Sequence, residues 1–225
     1  MFDIIFMSYE EPNADKNWEK LVSKYKWAQR VHGVKGLVNA HIECAKISRT
    51  SMYYHVEADN IVEEDFNFTY RPDKWNRDVV HVWRAKNPIT GLAYGNNGIK
   101  LFPTHKVLAL EGKNVTDFTT SVSDKFKAVQ VVASTVDTEM DDFNVWKSAF
   151  RECVKLQSGI IDRQKQKETS DRLETWCNVG NGKFGQSSIE GARQGRQYAI
   201  DNADNPEALR LINDFKWLED RYNEL

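Results

Sequence analysis

Two short stretches of this chain carry residue types at spacings that chemistry can use. Glu57-Ala58-Asp59 closes the strand-like run Ser51-Met52-Tyr53-Tyr54-His55-Val56. Acidic residues at i and i+2 can both reach one divalent cation from the turn that follows such a strand. Glu57 and Asp59 are therefore the metal candidates, for Mg²⁺ or Mn²⁺. Such hard cations are held by few carboxylates and completed by diphosphate oxygens, which suits a nucleotide-sugar donor with a nucleoside diphosphate as leaving group. Acidic residues also end strands as simple caps. The second stretch, Ser8-Tyr9-Glu10-Glu11, follows the first apolar run of the chain. The carboxyl end of a strand is where open α/β sheets keep their ligand crevice, and Tyr9 there can stack on a base. A turn with a helix cap accounts for Ser8, Asn13 and Asp15 equally well.

Other candidates are weaker. Tyr94-Gly95-Asn96-Asn97-Gly98 lets backbone approach a ligand, and Lys100 behind it can meet phosphate, although a tight turn before a strand explains the same residues. In Phe150-Arg151-Glu152-Cys153-Val154-Lys155 a helix puts Arg151 and Lys155 on one face and Glu152 about 100° away, which is also how a solvated face reads. Neither G-x-G-x-x-G nor G-x-x-x-x-G-K-[ST] occurs, so nicotinamide-type and P-loop sites have no support. His32, His41, His55, His81 and His105 show no metal-ligand spacing. Cys44, Cys153 and Cys177 lack C-x-x-C pairing and read as buried or idle thiols.

The elements that must position these residues follow from periodicity. Phe2 to Met7 is a near-continuous apolar run, the pattern of a strand covered on both faces. Helical spacing of Trp18, Leu21, Val22 and Tyr25 predicts a helix from Asp15 to about Ala28, and a second helix is expected over 38–47. Strands are expected at 79–83, 107–110 and 128–132, with a loop over 87–98. Helices are expected over 142–157 and from Pro206 to the C-terminus. This is an α/β chain with one mixed domain to about residue 135 and a mainly helical C-terminal part packed on it.

Composition bounds the function. The 225 residues carry 31 Lys and Arg against 33 Asp and Glu, and a net charge of -2 excludes a generally adhesive nucleic-acid binder. Any polyanion must meet a local patch. Arg71, Lys74, Trp75 and Arg77 form one basic and aromatic mixture, and Arg193 with Arg196 another. A hydrophobic fraction of 40% suffices for a compact core, and no apolar run approaches the ~18 residues that span a bilayer. With no signal-peptide pattern, a cytosolic protein without membrane contact is expected.

The strings Ser8-Tyr9-Glu10-Glu11-Pro12-Asn13-Ala14-Asp15, Glu57-Ala58-Asp59-Asn60 and Asn87-Pro88-x-x-Gly91-Leu92-x-Tyr94-Gly95-x-x-Gly98-x-Lys100, with Phe150 to Leu156, Arg172, Trp176 and 212–218, carry a resemblance over most of the chain. It resembles the glycosyltransferases of tailed bacteriophages, small GT-A-type enzymes that include the T4-like group acting on hydroxymethylated DNA pyrimidines. The resemblance implies a GT-A-like, Rossmann-like mixed sheet flanked by helices, with residues 1–135 as nucleotide-sugar-binding core and 136–225 completing the acceptor side. It implies a hexosyl- or pentosyltransferase with a nucleoside-diphosphate sugar donor, UDP-sugar above all. Hydroxymethylcytosine-type DNA would be the acceptor and Mn²⁺ or Mg²⁺ the cofactor, in the host cytoplasm if the chain is phage-encoded. Ser8, Tyr9, Glu10, Ala58, Asp59, Lys100 and Arg151 would bind the donor, Tyr94, Gly95, Asn96 and Gly98 would face the acceptor, and Glu152 would be the base. Glu57-Ala58-Asp59 stands where such enzymes carry Asp-x-Asp, and its leading Glu leaves Asp59 as the firmer ligand. A glycan, lipid or protein acceptor, or a non-catalytic binding module, remains the alternative.

Overall fold

The computed structural model describes residues 1–95, 98–113, 115, 117–138, 141–159 and 166–224. The chain divides into two compact units, Met1–Asn87 with Ala93–Asp137, and Pro88–Leu92 with Thr138–Leu225. The first runs β1 (Asp3–Ser8), α1 (Ala14–Lys24), β2 (Gln29–His32), α2 (Leu37–Ile47), β3 (Met52–Glu57), β4 (Asn60–Val62), β5 (Val80–Lys86), β6 (Ala93–Tyr94), β7 (Lys100–Pro103), α3 (Thr104–Leu108), α4 (Phe118–Val122) and β8 (Phe126–Val136). The sheet order is β2-β1-β3-β7-β5-β8-β4, with β6 on β5. β1 is parallel to β2 and β3, while β7 lies antiparallel between β3 and β5, so β3 and β5 point the same way.

The apolar run of β1 behaves as a doubly covered strand should. Ile4 and Phe6 join one core with Leu21 and Tyr25 on the α1 side, while Ile5 joins the other with Ile42, Cys44 and Ala45 of α2. The two crossovers thus cover opposite faces, which places a topological switch point between β1 and β3. An α/β mixed sheet flanked by helices is the observed class.

Three expectations are corrected. Val107 to Leu110 is not a strand: Thr104–Leu108 is a helical turn after Pro103, with Val107 and Leu110 buried in the α2-side core while Leu108 faces out. An apolar run of four has no period of its own, and here the core takes one face of a helical turn, i and i+3. The first helix stops at Lys24 because Tyr25 turns inward to donate its hydroxyl to the Phe66 carbonyl, freeing Gln29–His32 to pair with β1. The expected loop over 87–98 contains the two-residue strand β6.

The second unit holds α5 (Asp142–Ser158), α6 (Gln166–Asn178), α7 (Gly185–Asp201), α8 (Pro206–Arg210) and α9 (Phe215–Asn223). Asp141 caps α5 by accepting from the Asn144 amide, and Gly159 ends it in the left-handed region at φ 70°. Gly191 and Gly195 let α7 approach α5 closely: a Cβ at either would lie 2.3 Å from the Trp146 or Phe150 carbonyl oxygen. Among the described residues no helix is long and apolar enough to cross a membrane.

Candidate functional site

The two sequence-selected stretches meet at the carboxyl edge of the parallel block. Met7 lies opposite Glu57 and Ser8 opposite His32 in the strand registers. The loop after β1 and the turn after β3 therefore flank the switch point, where an open α/β sheet leaves a crevice. The backbone around the carboxylates is braced from several sides. Asn17, in α1, donates its amide to the Ala58 carbonyl at 2.9 Å and to Asp137 Oδ2 at 3.0 Å. The Asp137 amide donates to the Asp59 carbonyl at 2.7 Å. Asn60 Nδ2 donates to Asp59 Oδ1 at 3.0 Å while its Oδ1 accepts from Ser134 Oγ at 2.6 Å. Glu57 and Asp59 are half-buried, and Ala58 between them is packed in the core, so its contribution is its braced backbone. Beside this edge a cleft of about 350 Å³ opens between α1 and β4, lined among others by Asn17, Lys20, Lys24, Tyr25, Asn60 and Glu63.

The charges at this edge are arranged in pairs. Lys100 Nζ lies 3.0 Å from Glu57 Oε1 and also donates to the Gly98 carbonyl at 3.1 Å. Lys100 is only 7% exposed, so its charge offsets Glu57 from within the sheet instead of standing in open solvent. His55, opposite Lys100 in the register, is fully buried; burial, opposed by Glu57 and aided by Lys100, lowers its pKa to about 4. Gly98 is demanded by packing, since a Cβ there would lie 2.4 Å from the Trp83 carbonyl oxygen. A Cβ at Gly95 would meet the Val82 side chain at 2.9 Å, and Tyr94 is buried. Asn96 lies outside the described residues. Among the described residues no three His, Cys, Asp or Glu side chains form a group that could hold a metal ion, so a cation here would rest on Asp59 and Glu57 plus oxygens of a bound ligand and water.

Sequence reading missed the cationic side of the edge. Arg30 pairs with Asp15 at 2.7 Å, donates from Nε to Ser8 Oγ at 2.9 Å and lies 5.8 Å above the Phe6 ring. Ser8 Oγ is 2.9 Å from His32 Nδ1, and Arg30 Nη2 approaches the same nitrogen at 3.4 Å. A guanidinium only donates, so Nδ1 is the acceptor and the exposed His32 carries its proton on Nε2. Ser8 is thus a buried hinge between these two side chains. Tyr9 is half-buried, with its amide donating to Glu11 Oε2 at 2.7 Å, and Glu10 is exposed. Arg30 and His32 carried no motif, because β2 is only four residues long and polar at three of them.

Other candidates belong to other elements. Glu152 and Arg151 belong to the second unit. Glu152 is a carboxylate only 4% exposed on α5. Arg151 donates from Nε to the Ile212 carbonyl at 2.8 Å and stands 5.2 Å from the Phe215 ring, tying α5 to the turn before α9. Arg193 donates to the Cys177 carbonyl and Arg196 pairs with Glu174, both joining α7 to α6. The patch at Arg71, Lys74, Trp75 and Arg77, expected near the crevice, stands before the amino end of β5, at the opposite edge of the sheet from Glu57. That position follows from strand direction, because β3 and β5 are parallel.

No family model and no curated protein matches the sequence. Among solved structures, the chain is similar to a glycosyltransferase involved in the glycosylation of the major capsid of PBCV-1, with a TM-score of 0.40 and 11% identity. That similarity covers 61% of this chain and 94% of that one.

Proposed function

We propose that this chain is a glycosyltransferase that takes its sugar from a nucleoside-diphosphate donor, UDP-sugar first among them. The observation that carries the reading is the convergence of Ser8-Tyr9 and Glu57-Ala58-Asp59 on one switch-point edge, with the carboxylates on a braced backbone. Asp59, supported by Glu57, would hold Mn²⁺ or Mg²⁺; the ion, when bound, offsets charge growing on the leaving diphosphate. Two carboxylates suit that chemistry, because such ions take their remaining oxygens from phosphate and water. Tyr9 offers a ring to the base, and Arg30 with His32 sets cationic and donor groups along the same edge. Glu152 would take the acceptor hydroxyl's proton as the new C–O bond forms and the sugar–diphosphate bond breaks. The acceptor we favour is a hydroxymethylated pyrimidine in DNA, which must be unstacked or single-stranded to be reached.

Calorimetric titration of UDP with and without Mn²⁺, followed by hydrolysis and transfer assays over a panel of UDP-sugars, tests the donor. Metal-dependent binding is expected, and its absence for every nucleoside diphosphate overturns the reading. Transfer to hydroxymethylcytosine DNA but not to unmodified DNA of the same sequence supports the acceptor, and transfer to a glycan or lipid instead replaces it.

A further inference from the structure

At the amino edge of the sheet the first unit displays an aromatic ring that its core does not use. Trp75 is 80% exposed. The turn that carries it is nonetheless rigidly framed. Asp73 Oδ1 accepts from the Trp75 and Asn76 amides at 2.9 and 3.1 Å, and Asp73 Oδ2 accepts from Asn76 Nδ2 at 2.7 Å. Buried His81 reaches up from β5 with Nε2 2.8 Å from the Asn76 carbonyl oxygen, while the Tyr70 hydroxyl lies 3.1 Å from its Nδ1. A carbonyl only accepts, so the imidazole proton is on Nε2 and the Tyr70 hydroxyl donates to Nδ1. The indole is therefore presented to solvent by a preorganised frame.

Its surroundings are basic. Lys74 Nζ stands 4.7 Å from the Trp75 ring centre, exposed Arg77 follows two residues later in the chain, and exposed Arg71 lies over the Phe2 ring. Lys127 lies beside His81 in the β5–β8 register, close enough to act on Asp73, and exposed Lys125 precedes it. The cations outnumber the acidic side chains here: Asp73 caps the turn, Asp78 lies 3.5 Å from His105, and exposed Asp124 stands next to Lys125 in the chain. A locally positive surface around an exposed indole stands out on a chain of net charge -2.

We infer that Trp75 is a stacking platform for an unpaired nucleobase, with Lys74, Arg77 and Lys127 taking the flanking phosphates of a single-stranded nucleic acid. The chemistry selects this partner. Every base offers a π face and carries an anionic phosphate beside it, which matches a ring bordered by cations. A neutral glycan would use the ring and leave the cations idle, and an apolar protein partner would meet charge around the indole. Bases inside a duplex are already stacked, so the platform reads single strands. β5 spans seven residues, or about 20 Å at ~3.3 Å per residue, between this turn and the crevice edge. The base on Trp75 is therefore an anchored one, and the inference does not rest on the transferase reading.

Fluorescence anisotropy with a labelled oligothymidylate tests it. Expected is tighter binding of the single strand than of duplex or of an abasic oligomer with the same phosphates. Trp75→Ala should weaken it by about 5- to 100-fold and Trp75→Phe should restore most of the loss. Lys74→Glu with Arg77→Glu should weaken binding of all sequences and flatten the salt dependence. Unchanged affinity in Trp75→Ala, equal binding of the abasic oligomer, or preference for a polyanionic glycan over the oligonucleotide would each overturn the inference. Donor titration of Trp75→Ala should match the wild type, so failure here and failure of the transferase reading are separable.

Discussion

Replacing His55 with phenylalanine should flatten the acid side of the stability curve of the first unit. The imidazole is fully buried, 4.4 Å ring to ring from His41 and 5.7 Å from Phe102, and neither ring nitrogen has a hydrogen-bond partner among the described residues. Burial is the main cause that brings its pKa from 6.5 to about 4. Above pH 6.5 neither the folded nor the unfolded chain protonates this group. As pH falls from 6.5 towards about 4, the unfolded chain binds a proton that the folded one refuses, so stability drops through that window. The fall from 6.5 to about 4 is worth about 3 kcal/mol over the full window and about 2 kcal/mol by about pH 5. His41, whose pKa burial also holds well below its usual value, adds in the same direction. Phenylalanine removes the proton site and forfeits no hydrogen bond seen here. Urea unfolding read by hydrogen exchange of a Met52–Glu57 peptide isolates this unit, and is run near pH 7.5 and near pH 5. The wild type should lose at least about 2 kcal/mol between the two, and the variant about 2 kcal/mol less than the wild type. An identical pH response in both proteins would refute the assignment of the loss to His55.

Asp59→Ala should abolish metal-dependent nucleotide binding with the fold retained, while Glu57→Ala, already partnered by Lys100, should be milder; calorimetry with UDP and Mn²⁺ decides, and unaltered titration of Asp59→Ala counts against the metal role. Glu152→Gln should cut transfer by about 10²- to 10⁴-fold at nearly unchanged donor affinity, as loss of a general base does. Near-normal turnover would make Glu152 a packing residue of α5. Gly195→Ala should destabilise the second unit by about 2 kcal/mol despite alanine's better helix propensity, because the added carbon lies 2.3 Å from the Phe150 carbonyl oxygen and forces α7 off α5. Chemical denaturation of the variant checks the sign.

Local pattern determined much of the architecture. The continuous apolar run of β1 specified a strand covered on both faces, and the helical spacing of Trp18, Leu21 and Tyr25 located α1, because burial selects one period or the other. Leu21, Val22 and Trp18 needed no knowledge of their partners to be read this way. The same logic failed at Val107 to Leu110, where four apolar residues satisfy a strand or a helical turn equally, and at β2, whose four residues are mostly polar. It also passed over α6 and α7. Gly191 and Gly195 weaken the helical pattern by propensity, and only α5 supplies the backbone that needs the space.

At the candidate site, the sequence alone singled out Ser8-Tyr9 and Glu57-Ala58-Asp59, since residue type and strand-end position are local properties. Strand order was not local. Only the β2-β1-β3-β7 arrangement brings those stretches to one edge, spends Lys100 on Glu57 and joins Arg30 of β2 to Ser8 of β1. The same strand directions send Trp75 with Lys74 and Arg77 to the opposite edge, although in sequence these three stand less than twenty residues after Asp59. Periodicity records which face of an element is buried; which element lies beside it is settled by long-range packing and register, and those decide which charges meet.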